Sequence, residues 1–496
     1  MLVRTLAERG ITLGIHCGAL NYWCLNHFLT REENALFRET AHETILEIMR
    51  TAEPGATLRE HTAPLTFQQE FALEHFGDFY GGAESVRISG PLNVDALSRS
   101  IDSLVERHSA LHTKIQVTAQ GLQQHMGPAE PRGLEVLDLQ ECTLGSDAFN
   151  SRYSYLVREW YDAADSTFEV KLLRLSDSEH VLMIFWDHLF SDYYSASLLY
   201  QELWTSYCSV SRQQYAPVPS APMQYSDYAM WQRETYPSWA DREEVYWKER
   251  LRNAVPIQVS GSDSKGVAPP VKLTNVRIPL GLSSLLRDVA QRIGVSTSFV
   301  VVPLISLAVA AWTNQRKFTL PMTFSSRDQR KHLGMIGYLP NFVPLRVELA
   351  GHDTFDQLCK AMSREYLIGI AHLNIGKAMD GGRRELINAP FVQWFPSTPD
   401  EVFSPPRCRG DLEALGVCVK LFVPGPFNLP ALGRRRQSEF LPGLMLWEER
   451  GCIVGHGAFP FDLCPPAQTE ARAPDLLQLA TRVARDMNTS LASLLT

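Results

Sequence analysis

The feature of this sequence that most constrains its fold is a short apolar run, Val181 to Trp186, followed at once by Asp187. A run of this length without a helical period is typical of a strand buried inside a sheet. A different pattern fills Asn93 to His112, where apolar residues recur at helical spacing. These helical positions are Val94, Leu97, Ile101, Leu104 and Val105. Buried strands and amphipathic helices in one chain predict a mixed α/β fold.

Length and composition limit the class of protein. The chain has 496 residues, of which 45% are hydrophobic and 21% charged, and this describes a globular protein with a sizeable core. At about 150 residues per domain, it has room for about three domains or for one two-lobed unit with an appendage. The net charge is -8, from 47 Lys and Arg against 55 Asp and Glu, so we expect no nucleic-acid partner.

The cysteines and the apolar segments bear on the compartment. The nine cysteines are scattered and contain no C-x-x-C pair, which matches neither a disulfide framework nor a zinc site. We therefore expect reduced thiols, a cytoplasmic protein and no bound metal. The nearest match to a membrane span, Val295 to Trp312, contains serines, a threonine and the helix-bending Pro303. We predict a buried helix there, no contact with a membrane, and no signal peptide at the N-terminus.

Residues 1–50 have the pattern of a small module of their own. Two short extended runs, Ile11 to Ile15 and Leu20 to Leu25, lie between two helical patterns. A linker over residues 51–61 follows, and it contains Pro54-Gly55. We expect this module to be attached to the rest of the chain without sharing its core.

A second proline-rich stretch, Tyr215 to Pro222, falls near the middle of the remaining sequence. It predicts a division of the main body into an N-terminal lobe, residues 62–222, and a C-terminal lobe, residues 223–496. We find no repeat of solenoid period and no low-complexity tract in either lobe.

A His separated by three residues from an Asp occurs twice, as His188 with Asp192 and as His352 with Asp356. The spacing alone is weak evidence, because a chain with fourteen His contains about one such match by chance. His352 precedes a helical run and its neighbours are typical capping residues, so a local role is expected. His188 directly follows the apolar run, which would bring its imidazole to the edge of a sheet. A hydrogen-bonded core histidine is the alternative for His188.

The residues from Asp187 to Ser195 resemble the H-H-x-x-x-D-G-x-S core of the condensation domains of nonribosomal peptide synthetases. In this resemblance His188 is the second His and Asp192 is the Asp. Other motifs of that family follow in order, and the resemblance covers about residues 60 to 496. They are matched by Leu65 to Gln69, Arg107 to Thr113, Tyr225 to Gln232, Ile336 to Arg346, Ala371 to Asn374 and Pro390 to Gln393. The family belongs to the wider chloramphenicol acetyltransferase-like superfamily.

The resemblance implies two chloramphenicol acetyltransferase-like lobes arranged as a V-shaped pseudodimer, with an active-site tunnel at their junction. It also implies a condensation enzyme that joins an acyl thioester, held on the phosphopantetheine of a carrier protein, to an amine. A thioester is already activated, so we expect no ATP, metal or organic cofactor. Since the sequence ends at Thr496 without an adenylation or carrier segment, we expect a freestanding domain that meets its carrier proteins in trans.

The same resemblance assigns roles to individual residues. His188 would accept the proton of the attacking amine or hold that amine in line. Asp192 would be structural and paired with an Arg of the other lobe, for which Arg327 and Arg346 are candidates and Arg327 is favoured. The alternative for both arginines is a surface ion pair.

Two positions depart from the family core. Asp187 stands where the family has its first His, a position whose role is mainly packing and orientation. Tyr193 stands where the family has Gly, and we expect its ring to narrow the channel or to alter what enters it. These departures favour a second hypothesis, a catalytically weak domain that recruits partner proteins. A third hypothesis is an acyltransferase of the same superfamily that uses coenzyme A thioesters or forms esters.

Residues 1–50 resemble the N-terminal docking domain named for the tubulysin synthetase. Leu2 to Leu13 and Leu29 to Glu33 carry this resemblance, which implies a helix, a hairpin and a helix. The hairpin of that family is often basic, whereas Leu13 to Phe28 offers only His16 and His27. We therefore expect a docking peptide to add as a strand to the hairpin through main-chain hydrogen bonds.

Overall fold

A computed structural model describes the fold over most of the chain, in two compact units. Unit 1 contains the described residues within Met1–Ser238, Arg327–Leu339 and Pro399–Arg434, and unit 2 contains those within Trp239–Ser326, Pro340–Thr398 and Arg435–Thr496. The described residues are 12–16, 19–23, 61–75, 81–118, 121–131, 133–163, 167–214, 223–258, 272–327, 329–372, 390–422, 443–459 and 475–495.

Both units combine strands with helices, as the sequence predicts. The strands are β1 (Thr12–His16), β2 (Ala19–Trp23), β3 (Thr62–Pro64), β4 (Gly81–Ser89), β5 (Thr113–Thr118), β6 (Gly121–Met126), β7 (Glu135–Asp138), β8 (Phe168–Ser176), β9 (Glu179–Asp187), β10 (Lys272–Ile278), β11 (Lys317–Ser325), β12 (Pro340–Glu348), β13 (Phe391–Trp394), β14 (Cys418–Leu421), β15 (Gly443–Glu449) and β16 (Cys452–Phe459). The α-helices are α1 (Phe67–His75), α2 (Val94–Arg107), α3 (Asp147–Ala163), α4 (Tyr193–Ser211), α5 (Tyr225–Thr235), α6 (Ala240–Leu251), α7 (Leu280–Ile293), α8 (Ser298–Thr313), α9 (Phe355–Ile370), α10 (Pro399–Phe403), α11 (Pro406–Ala414), α12 (Leu476–Arg485) and α13 (Leu491–Leu494).

Strand β9 lies at the centre of a sheet of unit 1 with the order β14-β4-β9-β8-β7. Both neighbours of β9 run antiparallel to it. Alternate side chains of β9 face two different clusters. Leu182, Ile184 and Trp186 pack with helices α2 and α4, and Val181, Met183 and Phe185 pack with helix α3. The predicted strand, buried on both faces, is therefore confirmed.

A second sheet of unit 1 has the order β2-β1-β5-β6-β3 and includes the two extended runs predicted near the N-terminus. Strands β1 and β2 pair antiparallel, and β1 also pairs with β5, Gly14 with Gln116 and Ile15 with Ile115. Backbone pairing thus makes this hairpin part of a sheet of unit 1, whereas we predicted a module without shared core. An open edge of β5 offers unpaired backbone groups that a hairpin can satisfy, and sequence patterns do not show such long-range pairing. The predicted flanking helices and the Pro54-Gly55 linker lie outside the described residues.

Unit 2 contains a sheet with the order β10-β16-β15-β13-β11-β12. Helix α8 packs in its core, and every residue of α8 from Ser298 to Ala310 is buried. This confirms the buried helix that the serines and Pro303 predict. Among the described residues, no single helix is long and apolar enough to cross a membrane, and only the pair α7 and α8, bent by 107°, passes that test together.

The division into units by contact differs from the predicted lobes, which met between residues 222 and 223. Helix α5 belongs to unit 1, and so do Arg327–Leu339 and the segment that carries α10, α11 and β14. Strand β14 pairs with β4 and so extends the sheet of β9. The proline-rich break therefore does not mark the end of unit 1, which continues to Ser238 and includes later segments of the chain.

Candidate active site at the end of strand β9

His188 is held in a short turn at the end of β9. The strand ends at Asp187, and His188–Phe190 form one 3₁₀ turn. The buried carboxylate of Asp187 accepts a hydrogen bond from the backbone N–H of Leu189, at 2.9 Å, and so caps the turn. The Oγ of Ser191 donates to the backbone carbonyl of Asp187, at 3.2 Å. An Asp at the position of the family's first His therefore orients the residue after it.

The hydrogen bond of the His188 ring defines its tautomer. Nδ1 lies 3.1 Å from the backbone carbonyl oxygen of Ser191. Because a carbonyl oxygen only accepts, Nδ1 donates, and the lone pair of the neutral ring is on Nε2. Burial lowers the pKa of His188, and the Ser191 carbonyl and the charge of Asp192 oppose that shift. The ring is thus neutral near neutral pH and presents a proton acceptor.

Asp192 is a buried N-cap of helix α4 whose two oxygens serve different partners. Oδ1 accepts from the backbone N–H and from the Oγ of Ser195, both at 2.8 Å. Oδ2 accepts from Nη1 of Arg327 at 2.6 Å and from the backbone N–H of Leu339 at 3.2 Å. The side chains of Asp192 and Arg327 are only 7% and 2% exposed. This arrangement describes a structural ion pair, since both oxygens are already engaged.

Ser195 is the residue at this site that the sequence analysis missed. Its Oγ accepts from Nη2 of Arg327 at 2.9 Å and from the backbone N–H of Gly337 at 3.0 Å. A hydroxyl accepts two hydrogen bonds and donates one, and the bond to Asp192 uses its proton. The signal was present, because the resembling core H-H-x-x-x-D-G-x-S ends in this Ser.

Three of the other ordered motifs meet near the same turn. The side chain of Gln69 donates to the backbone carbonyl of Leu189 at 2.9 Å, and the hydroxyl of Tyr225 donates to that of Tyr338 at 2.7 Å. A Cβ at Gly337 would lie 2.3 Å from the ring of Tyr225, so only Gly fits there. Three motifs far apart in sequence therefore hold the His188 turn in place.

The two candidate arginines have different partners. Arg327 belongs to the same unit as Asp192, not to the other lobe as we expected. Arg346 lies on β12 of unit 2, where its Nε is 3.3 Å from Oε1 of Glu365, and Arg250 approaches the same carboxylate at 2.7 Å. The structure therefore brings Arg327 to Asp192 and leaves Arg346 in a separate ion-pair cluster.

Tyr193 is the first residue of α4, next to Asp192. Its half-buried ring packs against the core cluster of α2, α4 and β9. Burial raises the pKa of its hydroxyl, and the nearby carboxylates of Glu84 and Glu401 raise it further. The adjacent Tyr194 ring lies 4.6 Å from the guanidinium of Arg327. The ring of Tyr193 thus packs within unit 1.

The remaining candidates fit structural roles. The rings of Tyr228 and Trp231 pack against each other and against His332 at inclined or edge-to-face angles within unit 1. His372 stacks on Tyr246 in unit 2, and Asn374 lies outside the described residues. Within the described ranges, no group of three His, Cys, Asp or Glu side chains could hold a metal ion.

Comparison with known proteins decides the family. The family model of the condensation domain matches residues 59–376. This chain belongs to the condensation-domain family. The matched segment includes the His188 turn, Asp192, Ser195 and Arg327, so the geometry described above is that of a condensation domain.

This condensation domain is similar in sequence to parts of large synthetases. It is 27% identical to chondramide synthase of Chondromyces crocatus, over 54% of this chain and 7% of that protein. It is 24% identical to a linear gramicidin synthase polypeptide of Brevibacillus parabrevis, over 65% of this chain and 6% of that polypeptide. The chain thus spans less than a tenth of the length of these two relatives.

Solved structures share the fold of this condensation domain. The X-domain from teicoplanin biosynthesis has a TM-score of 0.67 at 18% identity, over 88% of this chain and 98% of that one. The first condensation domain of the calcium-dependent antibiotic synthetase has a TM-score of 0.61 at 17% identity, over 87% of this chain and 98% of that one. These likenesses agree with the mixed α/β fold described above.

Proposed function

We propose that this condensation domain joins an acyl or aminoacyl thioester, carried by a carrier protein, to an amine and so forms an amide bond. The observation that carries this proposal is the orientation of His188. Its Nδ1 is engaged by a backbone carbonyl, and its Nε2 is the acceptor of a neutral ring. The similarity to chondramide synthase and to linear gramicidin synthase supports the same reaction class.

The proposed mechanism uses the substrate amine, the thioester and the neutral imidazole of His188. An amine with a pKa near 8 is partly neutral at pH 7, and its nitrogen attacks the thioester carbonyl. The tetrahedral adduct then carries an ammonium, whose proton Nε2 of His188 accepts. The C–S bond breaks, the leaving thiolate takes up that proton, and the amide remains. Asp187 and Asp192 take no proton in this scheme, since they hold the turn and the start of α4.

The proposal includes the partners of the reaction. The substrates arrive on the phosphopantetheine of carrier proteins, so the domain itself needs no metal or organic cofactor. Strand β2 ends its sheet among the described strands, and we propose that its outer edge accepts a docking peptide as an added strand. The described cysteines have free thiols, which fits a reducing compartment, and we propose the cytoplasm.

The departure at Tyr193 favours a second candidate, a recruiting domain without condensation activity. One experiment separates the two candidates. Wild-type protein is incubated with an acyl carrier protein and amine acceptors, and intact-protein mass spectrometry follows the loss of the acyl group and the appearance of the amide. We expect His188→Ala to lower the rate by about two to four orders of magnitude.

The matched control is His352→Ala, because His352 has the same spacing to an Asp but lies in unit 2 between β12 and α9. We expect this control to keep the wild-type rate. No amide formation by the wild-type protein would support the recruiting candidate, whereas equal measurable rates for wild-type and His188→Ala protein would overturn the assignment of His188 as the base.

A further inference from the structure

Leu189, the residue after His188, has both of its backbone polar groups held by side chains. Its N–H donates to Oδ1 of Asp187, and its carbonyl oxygen accepts from Nε2 of Gln69, each at 2.9 Å. These two groups belong to the peptide units before and after Leu189. The side chain of Leu189 is fully buried in the core cluster of unit 1. The main chain directly after His188 is therefore fixed from both sides.

Gln69 reaches this turn from the start of helix α1, where its side chain is itself held. The carbonyl of Thr66 accepts the first helical hydrogen bond of α1, from the N–H of Glu70 at 3.0 Å, so Thr66 is the N-cap. The N–H of Gln69 donates to Oγ1 of Thr66 at 3.1 Å, and the N–H of Thr66 donates to Oε1 of Gln69 at 3.0 Å. This pair of bonds is a capping box. Because Oε1 faces a donor, the amide nitrogen of Gln69 faces the carbonyl of Leu189.

The two ends of the Gln69 amide thus have different tasks. The oxygen completes the cap of α1, which is a local structural role. The nitrogen binds a residue 120 positions later in the chain, next to His188. Gln69 and Leu189 are both 0% exposed, so water does not replace this bond when the amide is removed.

The direction of the His188 ring depends on the same backbone. Nδ1 of His188 donates to the carbonyl of Ser191, and the N–H of Ser191 donates to the carbonyl of His188 at 3.3 Å. These bonds keep the ring within the turn, so a rotation of the peptide units around Leu189 carries the ring and its Nε2 with it. Proton transfer requires that acceptor within hydrogen-bond reach of the amine, and a displacement of about 1 Å can cost about a hundredfold in rate.

We propose that Gln69 is a positioning residue for the reaction at His188. Its amide nitrogen holds the Leu189 carbonyl and so fixes the direction in which Nε2 of His188 accepts a proton. Asp187 has the matching task at the N–H of Leu189, and we call this arrangement of Asp187 and Gln69 the Leu189 clamp. The inference rests on the proposed function, because it names a further residue for the same site. Gln69 acts through the main chain and transfers no proton.

Substitutions on the full chain separate this role from stability. Gln69→Met removes the amide at similar side-chain length, and Gln69→Asn keeps an amide that is one methylene too short to reach both partners. Thr66→Ala is the control for the cap, because it removes Oγ1 and leaves the bond from Gln69 to Leu189. Gln124→Met is the control for a buried amide, because Gln124 of β6 is 1% exposed and donates its Nε2 to the carbonyl of Pro64 at 2.8 Å.

The first readout is the separation of kcat from KM in the carrier assay, below the melting temperature of each variant. We expect Gln69→Met to lower kcat by about ten- to a hundredfold and to leave KM for the acyl carrier within about twofold, since orientation is lost and carrier binding is not. Gln69→Asn should give an intermediate kcat with a smaller loss of stability. Both controls should keep kcat within about threefold while their melting temperatures fall.

The second readout does not need turnover. Nitrogen NMR of isotope-labelled histidine, with His188→Ala to assign the signal, reports which ring nitrogen of His188 carries the proton. We expect one tautomer in the wild type, with the lone pair on Nε2. In Gln69→Met and Gln69→Asn we expect a second tautomer or a broadened signal, whereas Gln124→Met should match the wild type.

Wild-type kcat in both Gln69 variants would overturn the inference. So would an equal loss of kcat in Thr66→Ala or Gln124→Met, or a raised KM with unchanged kcat. Amide formation that depends on His188 but not on Gln69 would refute the Leu189 clamp and leave the proposed function. If the wild type forms no amide, the function fails, and the His188 signal decides the clamp alone: an unchanged signal in both Gln69 variants refutes it, and an altered one supports it.

Discussion

The two ion pairs around Asp192 and Glu365 have the same chemistry but lie in different environments. Arg327 and Asp192 are almost fully buried, and each makes further hydrogen bonds to Ser195. Arg346 and Glu365 are 29% and 14% exposed, and Arg250 shares the carboxylate. A buried charge depends on its partner, whereas an exposed one can be solvated by water. The comparison shows that burial, not the presence of an Arg in a motif, determines which pair is essential to the fold.

The largest expected effect is on the buried pair. Asp192→Ala leaves the guanidinium of Arg327 buried without its carboxylate and removes the N-cap of α4. We expect the free energy of unfolding to fall by about 3 to 5 kcal/mol, measured by chemical denaturation. Unchanged stability with lost activity would show instead that Asp192 takes part in the reaction.

A smaller effect concerns the pH dependence of the proposed reaction. Burial lowers the pKa of His188, so the neutral base persists to a lower pH than that of a solvated His. Expressed per neutral amine, since the amine itself becomes protonated below about pH 8, kcat/KM should be constant down to about pH 6.5 and fall about tenfold per pH unit only below the lowered pKa.

The same shift affects stability with a known sign. A lowered pKa means that the unfolded chain binds the proton more tightly, so the contribution of His188 to stability is lost as the pH falls below about 6.5. His188→Ala should remove this dependence, whereas His352→Ala should retain it. A kcat/KM per neutral amine that already declines above pH 7 would contradict the assignment of His188 as a buried neutral base.

The smallest effect is expected for the exposed pair. Arg346→Ala should lower the free energy of unfolding by about 0 to 1 kcal/mol, because water replaces the lost partner of Glu365 and Arg250 remains. Denaturation in parallel with Asp192→Ala gives the comparison directly. A loss as large as that of Asp192→Ala would mean that burial does not separate the two pairs.

Much of the site was predictable from the sequence. The apolar run Val181 to Trp186 predicted a strand buried on both faces, and the placement of His188 after it predicted an imidazole at the strand's end. The ordered motifs predicted the condensation family. These predictions succeed because they depend on local pattern and on residues close together in the chain.

Other features of the site could be identified only from the folded structure. The first hairpin pairs with β5 across about a hundred residues, and Arg327 returns to unit 1 although it follows strands of unit 2. No local pattern encodes such contacts, since they depend on which backbone edges and buried charges remain to be satisfied. The role of Ser195 as a shared partner of Asp192, Arg327 and Gly337 depends on the same long-range packing.

The sequence by itself determined the family, the mixed α/β fold and the position of His188, because periodicity and motif order are properties of the chain. Only the tertiary structure decided the tautomer of His188 and the pairing of Asp192. Each of these depends on distance and burial, which set hydrogen bonding and the cost of a charge. Residues far apart in sequence determine these distances and this burial, so only the folded structure shows them.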